Sequence, residues 1–119
     1  MAEETDCLFC KIAEGQVPST KVYEDDTVYA FKDINPMSEV HVLVIPKKHY
    51  PNAAAVAAAD PQLLAHIVET AQKIADDQCD GAYHLLFNTG AAAGQTVFHC
   101  HAHVLGGRPD PAKLAGALA

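Results

Sequence analysis

The amino-acid sequence predicts an α+β domain built on an antiparallel sheet. Five short runs rich in β-forming residues follow one another through turns, as strands joined in hairpins do. One long segment instead repeats its apolar residues at the spacing of an α-helix. A series of neighbouring strands with one long helix is typical of an α+β fold on an antiparallel sheet.

Composition limits both the size of the fold and the class of partner. The 119 residues are enough for one domain, and half of them are apolar. Eight basic residues against fifteen acidic ones give a formal charge of −7, which argues against a nucleic-acid partner. No apolar run approaches the ~20 residues of a membrane-spanning helix, and the acidic N-terminus is unlike a secretory signal. We therefore expect a cytoplasmic protein with no membrane partner.

The first part of the chain predicts a short helix and a hairpin. Residues 7–14 have the apolar spacing of a helix. Two β-forming runs follow at residues 21–24 and 27–32, and the acidic pair Asp25-Asp26 lies between them. Two short strands separated by such a pair indicate a hairpin.

The middle of the chain predicts a central strand and a long helix. Residues 40–45 are apolar on both faces and precede Pro46, and His41 is the only polar side chain of that run. The clearest helix spans residues 61–78, because its apolar residues fall on one stripe and Asp60 can cap its first turn. We expect the strand to be buried and the helix to be amphipathic.

The C-terminal part predicts two further strands around a loop of small residues. The strands are expected at residues 83–88 and 97–105, with the loop at 89–96 between them. Gly106-Gly107 is expected to end the last strand. The tail beyond has too little apolar content to predict an element.

Three histidines near the C-terminus alternate with small or apolar residues. Because side chains on a strand repeat every two residues, His99, His101 and His103 would project from one face, ~7 Å apart at successive positions. Cys100 and Ala102 would then face the core. Three buried imidazoles would each need a hydrogen-bond partner, so the row indicates a functional site rather than a structural one.

Two kinds of chemistry fit such a row. Two or three of the histidines could bind a metal ion, or one imidazole could act as a nucleophile without a metal. The preceding loop favours the second, because Gly90 and Gly94 allow close approach of the backbone to a ligand. The backbone amides of this loop, together with Gln95 and Thr96, could hold an anion. Asn88 adds a side-chain amide at the entrance of the loop. An anion beside a neutral imidazole favours phosphoryl or nucleotidyl transfer.

The four cysteines leave more than one interpretation open. Cys7 and Cys10 form a C-x-x-C pair, which could be half of a zinc site, a redox motif, or two unrelated cysteines. The zinc interpretation is favoured, because no strand precedes the pair as in a redox fold, but it needs two more ligands. Cys79 and Cys100 are expected to pack as small hydrophobes.

Several separated motifs resemble one family. Gly-Gln-Thr-Val-Phe at 94–98, followed by His-x-His-x-His at 99–103, resembles the signature of the histidine triad (HIT) family, and more closely its Hint-type branch of nucleoside phosphoramidases. The likeness covers residues 7–107 and carries further motifs in the same order. These are Cys-Leu-Phe-Cys-Lys-Ile at 7–12, Phe-Lys-Asp-Ile-Asn-Pro at 31–36, and His-Val-Leu-Val-Ile-Pro-Lys-Lys-His at 41–49.

The resemblance implies a fold and an activity. The fold is a single HIT domain over residues 1–119, with variable tails at 1–6 and 108–119. It has a five-stranded antiparallel sheet with two helices, and two chains pair into a homodimer with a ten-stranded sheet. The implied activity is hydrolysis of purine nucleoside 5′-phosphoramidates to the nucleoside monophosphate. A dinucleoside polyphosphate hydrolase, or a nucleotide-binding scaffold with residual catalysis, remains an alternative.

The resemblance also implies catalytic roles. His101 would attack the α-phosphorus and form a nucleotidyl-histidine intermediate, while the carbonyl of His99 holds its other ring nitrogen. His103 would form a hydrogen bond with a phosphoryl oxygen, and Thr96 would lie beside the leaving group. His41 would join a proton relay with His101.

The implied nucleotide-binding residues surround these groups. Asp33 would bind the two ribose hydroxyls, and Asn88 and Gln95 would help to bind phosphate beside Thr96, His101 and His103. The residues expected to line the base pocket are Phe9, Ile12, Val17, Phe31 and Ile34.

The resemblance supplies the missing zinc ligands as well. Many bacterial relatives that carry the C-x-x-C pair complete a tetrahedral site with two histidines. The implied ligands in this chain are Cys7, Cys10, His49 and His99. Two thiolates and two imidazoles close the coordination shell, which implies one structural zinc ion per chain.

Overall fold

The structure, a computed structural model, describes residues 7–109 of the chain. In chain order its elements are helix α1 (Leu8–Ala13), strands β1 (Lys21–Glu24), β2 (Val28–Lys32) and β3 (Ser38–Pro46), helices α2 (Ala53–Ala59) and α3 (Pro61–Cys79), strand β4 (Tyr83–Leu86), a 3₁₀ turn (Ala91–Ala93) and strand β5 (Ala102–Pro109). The strands form one sheet in the order β1-β2-β3-β5-β4, and every neighbouring pair is antiparallel. The predicted α+β fold on a five-stranded antiparallel sheet is confirmed.

Helices α2 and α3 supply the main core on one face of the sheet. Helix α3 buries one stripe, whose largest residues are Leu63, Ile67 and Ile74. The strands contribute alternate residues to the same core, namely Val28, Ala30, Val42, Val44, Ala102 and Val104. Because full burial of an aliphatic side chain such as Val, Leu or Ile gives about 1.5–3 kcal/mol, this layer carries most of the hydrophobic stabilisation.

The ends of α3 follow the sequence signals. Asp60 Oδ1 accepts a hydrogen bond from the Leu63 amide at 3.1 Å, and Pro61 occupies the first turn. The chain leaves the helix through Asp80 and Gly81, at φ angles of 55° and 75°. Since this left-handed region suits glycine, Gly81 ends the helix as predicted.

The opposite face of the sheet carries helix α1 and a second, smaller core. Strand β3 contributes Leu43 and Ile45 to it, and α1 contributes Phe9 and Ile12. In β5, His103 pairs with Leu43 across the ladder. The alternation of side chains along β3 and β5 therefore places imidazoles under α1, on the face away from the long helix.

The expectation of two helices is wrong, because residues 7–109 contain three α-helices. The additional helix is α2, seven residues of which six are alanine. It buries only Val56, so its sequence has no apolar–polar period that could predict it. Asn52 stabilises its start by accepting a hydrogen bond from the Ala55 amide at 2.9 Å.

The expected last strand at 97–105 is wrong in its position, because β5 spans Ala102–Pro109. The chain before it makes no strand ladder, and the Cys100 amide instead donates to the Tyr50 carbonyl at 2.6 Å. Of the three triad histidines only His103 lies on the strand. Gly106 and Gly107 do not end it, since Gly106 pairs with residues of both neighbouring strands.

The remaining element boundaries agree with the predictions within two residues. The tail expected at 108–119 begins inside β5, and residues 1–6 and 110–119 lie outside the described residues. Within the described range, no helix is both long enough and apolar enough to span a membrane. Pairing into a ten-stranded dimer stays a prediction.

Candidate active site

A cavity of about 430 Å³ under α1 brings most of the predicted site residues together. Those that line it are Phe9, Ile12, Val17, Phe31, Asp33, Ile34, Thr96, His101 and His103. They come from α1, the end of β2, the start of β5 and the segments between. Asn88 and Gln95 do not line the cavity.

The ring of His101 is oriented by its backbone neighbour and by an aromatic contact. Its Nδ1 lies 2.8 Å from the carbonyl oxygen of His99 and, because a carbonyl only accepts, this nitrogen carries the ring proton. Phe9 packs edge-on against the ring with centroids 5.0 Å apart. Burial lowers the pKa of His101, although the hydrogen bond to His99 opposes this shift. The neutral ring keeps its lone pair on Nε2, as a nucleophile requires.

His41 and His103 form a buried hydrogen-bonded pair next to His101. Nε2 of His41 lies 2.9 Å from Nδ1 of His103, and Nδ1 of His41 accepts from the Met37 amide at 3.0 Å. The His101 and His103 ring centroids are 4.9 Å apart. The direct partner of His41 is thus His103, whereas the expected relay joined His41 to His101.

The second ring nitrogen of His103 has no hydrogen-bond partner among the described residues. Nε2 of His103 is buried without a hydrogen bond among residues 7–109, although the residue lines the cavity. Burial, assisted by the neighbouring rings of His101 and His41, lowers the pKa of His103 to about 3. The pKa of His41 is also lowered by burial, against the opposing effect of Asp33. Both rings are therefore neutral near pH 7, and an unpaired polar atom at a cavity wall indicates a ligand contact.

Asp33 lies at the edge of the cavity, directly after β2. Its Oδ1 accepts from the Asn35 amide at 2.8 Å, which shapes the turn. Its Oδ2 lies 3.5 Å from Nε2 of His41. The carboxylate keeps further acceptor sites that can bind hydroxyl donors.

The apolar side of the cavity is built from α1 and β2. The rings of Phe9 and Phe31 meet edge to face with centroids 5.5 Å apart. Both are buried, whereas Ile34 beside them is fully exposed at 100%. An exposed isoleucine at the mouth of an apolar cavity gains stability only when a ligand or another surface covers it.

Four amides of the loop before the triad are bonded within the loop and are not free to hold an anion. The amides of Ala93, Gly94 and Gln95 donate to carbonyls within the loop. The Gly90 amide donates to Oε1 of Gln95 at 2.8 Å. These four amides are therefore already satisfied, and an anion would need other donors.

The Gln95 side chain instead holds the loop in place. It is buried, and its Nε2 donates to the carbonyls of Pro51 at 2.7 Å and Val97 at 3.1 Å. Asn88 lies at the loop entrance, with its amide nitrogen 3.9 Å from where a Cβ at Gly94 would be. Of the loop's polar side chains, Thr96 is the one that lines the cavity.

Four potential metal ligands converge beside the cavity as the resemblance implied. We call Cys7, Cys10, His49 and His99 the Cys/His cluster, and their ligand atoms lie within 4.8 Å of one another. Nδ1 of His99 is 3.3 Å from Cys7 Sγ and 3.4 Å from Cys10 Sγ, and Nδ1 of His49 is 3.4 Å from Cys10 Sγ. Nε2 of His99 donates to the Pro46 carbonyl at 2.7 Å, which leaves the lone pair on Nδ1.

The donor set and its spacing fit a tetrahedral metal ion such as zinc. Zinc bonds of about 2.3 Å to sulfur and 2.0–2.1 Å to nitrogen place these atoms roughly 3.6 Å apart at a tetrahedral angle, close to what is observed. Burial lowers the pKa of His99 to about 4, so its ring is neutral and able to ligate. Two sulfurs and two imidazoles fill all four positions, as in a structural site.

Asp33, His41 and His103 form a second group whose ligand atoms are close enough to hold a metal ion. The hydrogen bonds argue against that use. Because Nδ1 of His41 accepts the Met37 N–H, the neutral ring carries its proton on Nε2, the atom that would have to ligate. The group is therefore a hydrogen-bond chain.

Sequence reasoning missed some residues of the site. Lys32 and Leu43 line the cavity because they adjoin Asp33 and His103, and strand alternation on β3 could have found Leu43. The amide of Met37, which holds His41, could not be found in this way, because backbone groups leave no trace in the sequence. Thr96 also lines another cavity of about 490 Å³, whose wall includes Cys7 and His49.

Comparison with known proteins identifies the family. The profile of the HIT domain matches residues 14–110, and the chain belongs to this family. The purine nucleoside phosphoramidase of Escherichia coli strain K12 is 43% identical over 117 residues, which cover 97% of each chain. An uncharacterized HIT-like protein of a Synechocystis strain is 49% identical over 110 residues, covering 92% of this chain and 95% of that protein.

Solved structures of HIT family proteins support the same family assignment. A HIT family hydrolase from Clostridium thermocellum is 49% identical and matches with a TM-score of 0.81, over 86% of this chain and 90% of that one. The predicted membership of the HIT family is confirmed.

Proposed function

We propose that this chain hydrolyses purine nucleoside 5′-phosphoramidates to the nucleoside monophosphate and an amine. The observation that carries the proposal is the pair of ring nitrogens in one cavity: Nε2 of His101 with a free lone pair, and Nε2 of His103 with no hydrogen-bond partner within residues 7–109. The E. coli relative named a purine nucleoside phosphoramidase supports the choice of substrate.

The reaction proceeds in two displacements at phosphorus. Nε2 of His101 forms a bond to the α-phosphorus while the P–N bond breaks, and the departing nitrogen takes up a proton from solvent as the free amine. Water then adds to the same phosphorus and releases a proton to solvent, while the bond to His101 breaks and its electron pair returns to Nε2. A neutral buried imidazole suits this role, because one difficult step is divided into two easier ones.

His103 acts on the charge that develops at phosphorus. Its Nε2 donates to a phosphoryl oxygen from a buried ring, where such a hydrogen bond is stronger than in solvent. Thr96 places a hydroxyl at the same wall and acts beside the leaving group. His41 acts through His103 rather than on the substrate.

The remaining cavity residues hold the nucleoside. Asp33 accepts hydrogen bonds from the two ribose hydroxyls, and Phe9, Ile12, Val17, Phe31 and Ile34 cover the base. Gln95 acts indirectly by fixing the loop, since its amide already bonds three backbone groups. Asn88 is proposed to bind phosphate from the loop entrance.

The Cys/His cluster would hold one structural zinc ion. An ion held by these four residues would cross-link the start of α1, the segment after β3 and the triad segment, and the displacement as proposed uses only the cavity side chains. The proposal includes a cytoplasmic homodimer, for which analytical ultracentrifugation measures the mass in solution.

The test is release of AMP from adenosine 5′-phosphoramidate by the purified protein. His101→Gly should lower kcat/KM by about 10⁴-fold or more, because the nucleophile is lost. His84→Ala, which removes an exposed histidine on β4, is the matched control and should retain turnover. Mass spectrometry of the quenched reaction should locate the nucleotidyl group on His101.

The substrate panel separates the alternatives. Faster cleavage of diadenosine tri- or tetraphosphate than of the phosphoramidate would favour the dinucleoside polyphosphate hydrolase. Tight AMP binding without turnover of any substrate would favour the scaffold. Full activity of His101→Gly would contradict the assignment of the nucleophile.

A further inference from the structure

A chain of hydrogen bonds leads from a backbone amide to the wall of the cavity. The Met37 amide donates to Nδ1 of His41 at 3.0 Å. Nε2 of His41 lies 2.9 Å from Nδ1 of His103. His103 is 8% exposed, and its Nε2 has no hydrogen-bond partner in the part of the chain that is described.

The Met37 amide fixes the direction of the hydrogen bonds that follow it. A backbone N–H can only donate, so Nδ1 of His41 must be the acceptor, and the neutral ring carries its proton on Nε2. That proton is donated to Nδ1 of His103, which must then be unprotonated. The remaining proton of the neutral His103 ring is consequently on Nε2, at the cavity wall.

Asp33 gives independent support for this direction. Its carboxylate oxygen lies 3.5 Å from Nε2 of His41, and a carboxylate is favoured beside an N–H rather than beside a lone pair. If these hydrogen bonds ran in the opposite direction, Nδ1–H of His41 would face the Met37 N–H, and the Nε2 lone pair of His41 would face Asp33. Both contacts would be repulsive in a buried setting, where unsatisfied polar groups are costly.

We propose that the backbone N–H of Met37 is a positioning group that sets the tautomers of His41 and His103. It makes Nε2 of His103 a permanent hydrogen-bond donor toward the cavity. The site thereby selects ligand groups that only accept hydrogen bonds at this position, such as an anionic phosphoryl oxygen, over groups that donate. The side chain of Met37 is not required for this effect.

The consequence for turnover rests on the proposed function, but the tautomers do not. They can be measured in the free protein without substrate. A protein with the expected tautomers and no phosphoramidase activity would overturn only the proposed function. A protein with activity and the reversed tautomers would overturn only the present inference.

The first experiment is ¹⁵N NMR of the histidine rings in the wild-type protein near pH 7. We expect the proton on Nε2 in both His41 and His103. A proton on Nδ1 of His103, or a mixture of the two tautomers, would overturn the inference.

The second experiment removes the donor. Met37→Pro eliminates the N–H, and Met37→Ala keeps it and measures the contribution of the side chain. Relative to Met37→Ala, Met37→Pro should shift His103 toward the Nδ1 tautomer and weaken AMP binding about 10- to 100-fold in calorimetry, as expected when a hydrogen bond to a charged group is lost.

An ester in place of the amide at position 37 covers the case in which proline prevents folding. This change replaces only the N–H by oxygen and keeps the backbone geometry. The same tautomer shift and loss of AMP affinity are expected. A folded proline or ester variant with unchanged His103 tautomer and unchanged AMP affinity would overturn the inference.

Discussion

The carbonyl oxygen of His99 accepts the Nδ1 proton of His101 at 2.8 Å, and the ring of His99 belongs to the Cys/His cluster. One residue thus takes part in two sites, through its backbone in the candidate active site and through its ring in the metal cluster. The orientation of the proposed nucleophile therefore depends on how firmly the segment around His99 is held.

Metal removal should lower stability before it lowers activity. A chelator is expected to reduce Tm, because metal bound only by the folded state stabilises it by mass action. Cys10→Ser, which removes one ligand, should reduce both the zinc content and Tm. Metal content by mass spectrometry and Tm by calorimetry measure the two effects. Equal Tm values for the metal-loaded and chelated protein would contradict a structural metal.

The stability of the protein should fall as the pH falls below about 6.5. In the unfolded chain His103 takes up a proton near that pH, whereas in the folded protein burial lowers its pKa to about 3. Between these values the unfolded state holds one more proton, so the free energy of unfolding decreases by up to about 1.4 kcal/mol per pH unit for this group. Below the lower value this contribution is exhausted.

His103→Gln isolates that contribution. The variant lacks the titrating ring, so urea unfolding measured between pH 4 and pH 7 should give a shallower dependence on pH than in the wild type. Its overall stability also changes, but the slope is the relevant quantity. Identical slopes for the two proteins would show that His103 is not protected from protonation in the folded state.

Gln95→Ala should destabilise the loop that carries Thr96. The change removes the acceptor of the Gly90 amide and the donor to the Pro51 and Val97 carbonyls. These bonds are only partly buried, and each intramolecular hydrogen bond contributes about 0.5–1.5 kcal/mol, so we expect a total loss of about 1–3 kcal/mol in chemical denaturation. AMP binding should weaken as well. Asn88→Ala, which breaks none of these bonds, should leave stability nearly unchanged.

Gly106→Ala should destabilise the fold through a contact with Cys79. A Cβ at position 106 would overlap Cys79 Sγ and lie 2.9 Å from Cys79 Cβ, closer than such atoms approach in proteins. We expect a loss of about 1–3 kcal/mol, as for other overpacked sites. Combining it with Cys79→Ala removes the sulfur and should recover part of the loss. A double-mutant cycle from denaturant unfolding measures this coupling, and additive effects would contradict the predicted contact.

Patterns of period two and of helical spacing predicted the sheet and its two faces. Leu43 and Ile45 face one side of the sheet and Val42 and Val44 face the other, as the alternation along β3 requires. Helix α2 was missed because a run of alanines has no periodic apolar face, and it is placed by packing and by its Asn52 cap.

The position of the triad shows where alternation fails. The residues His99 and His101 satisfy the period of a strand, yet both lie before β5. The ring of His99 is held by the Cys/His cluster and by the Pro46 carbonyl, and the Cys100 amide is held by Tyr50. These contacts join residues far apart in the chain, and no local pattern can predict them.

Residue order and spacing predict the reactive groups: three imidazoles at alternate positions, a C-x-x-C pair and a lone histidine in an apolar strand. They also predict the fold class that brings these groups together. Local side-chain spacing is sufficient for this, because strand and helix periods are local properties. The tertiary structure alone decided which nitrogen of each ring carries the proton. That choice depends on backbone donors and acceptors, such as the Met37 amide and the His99 carbonyl, which every residue type shares and which only folding brings into contact.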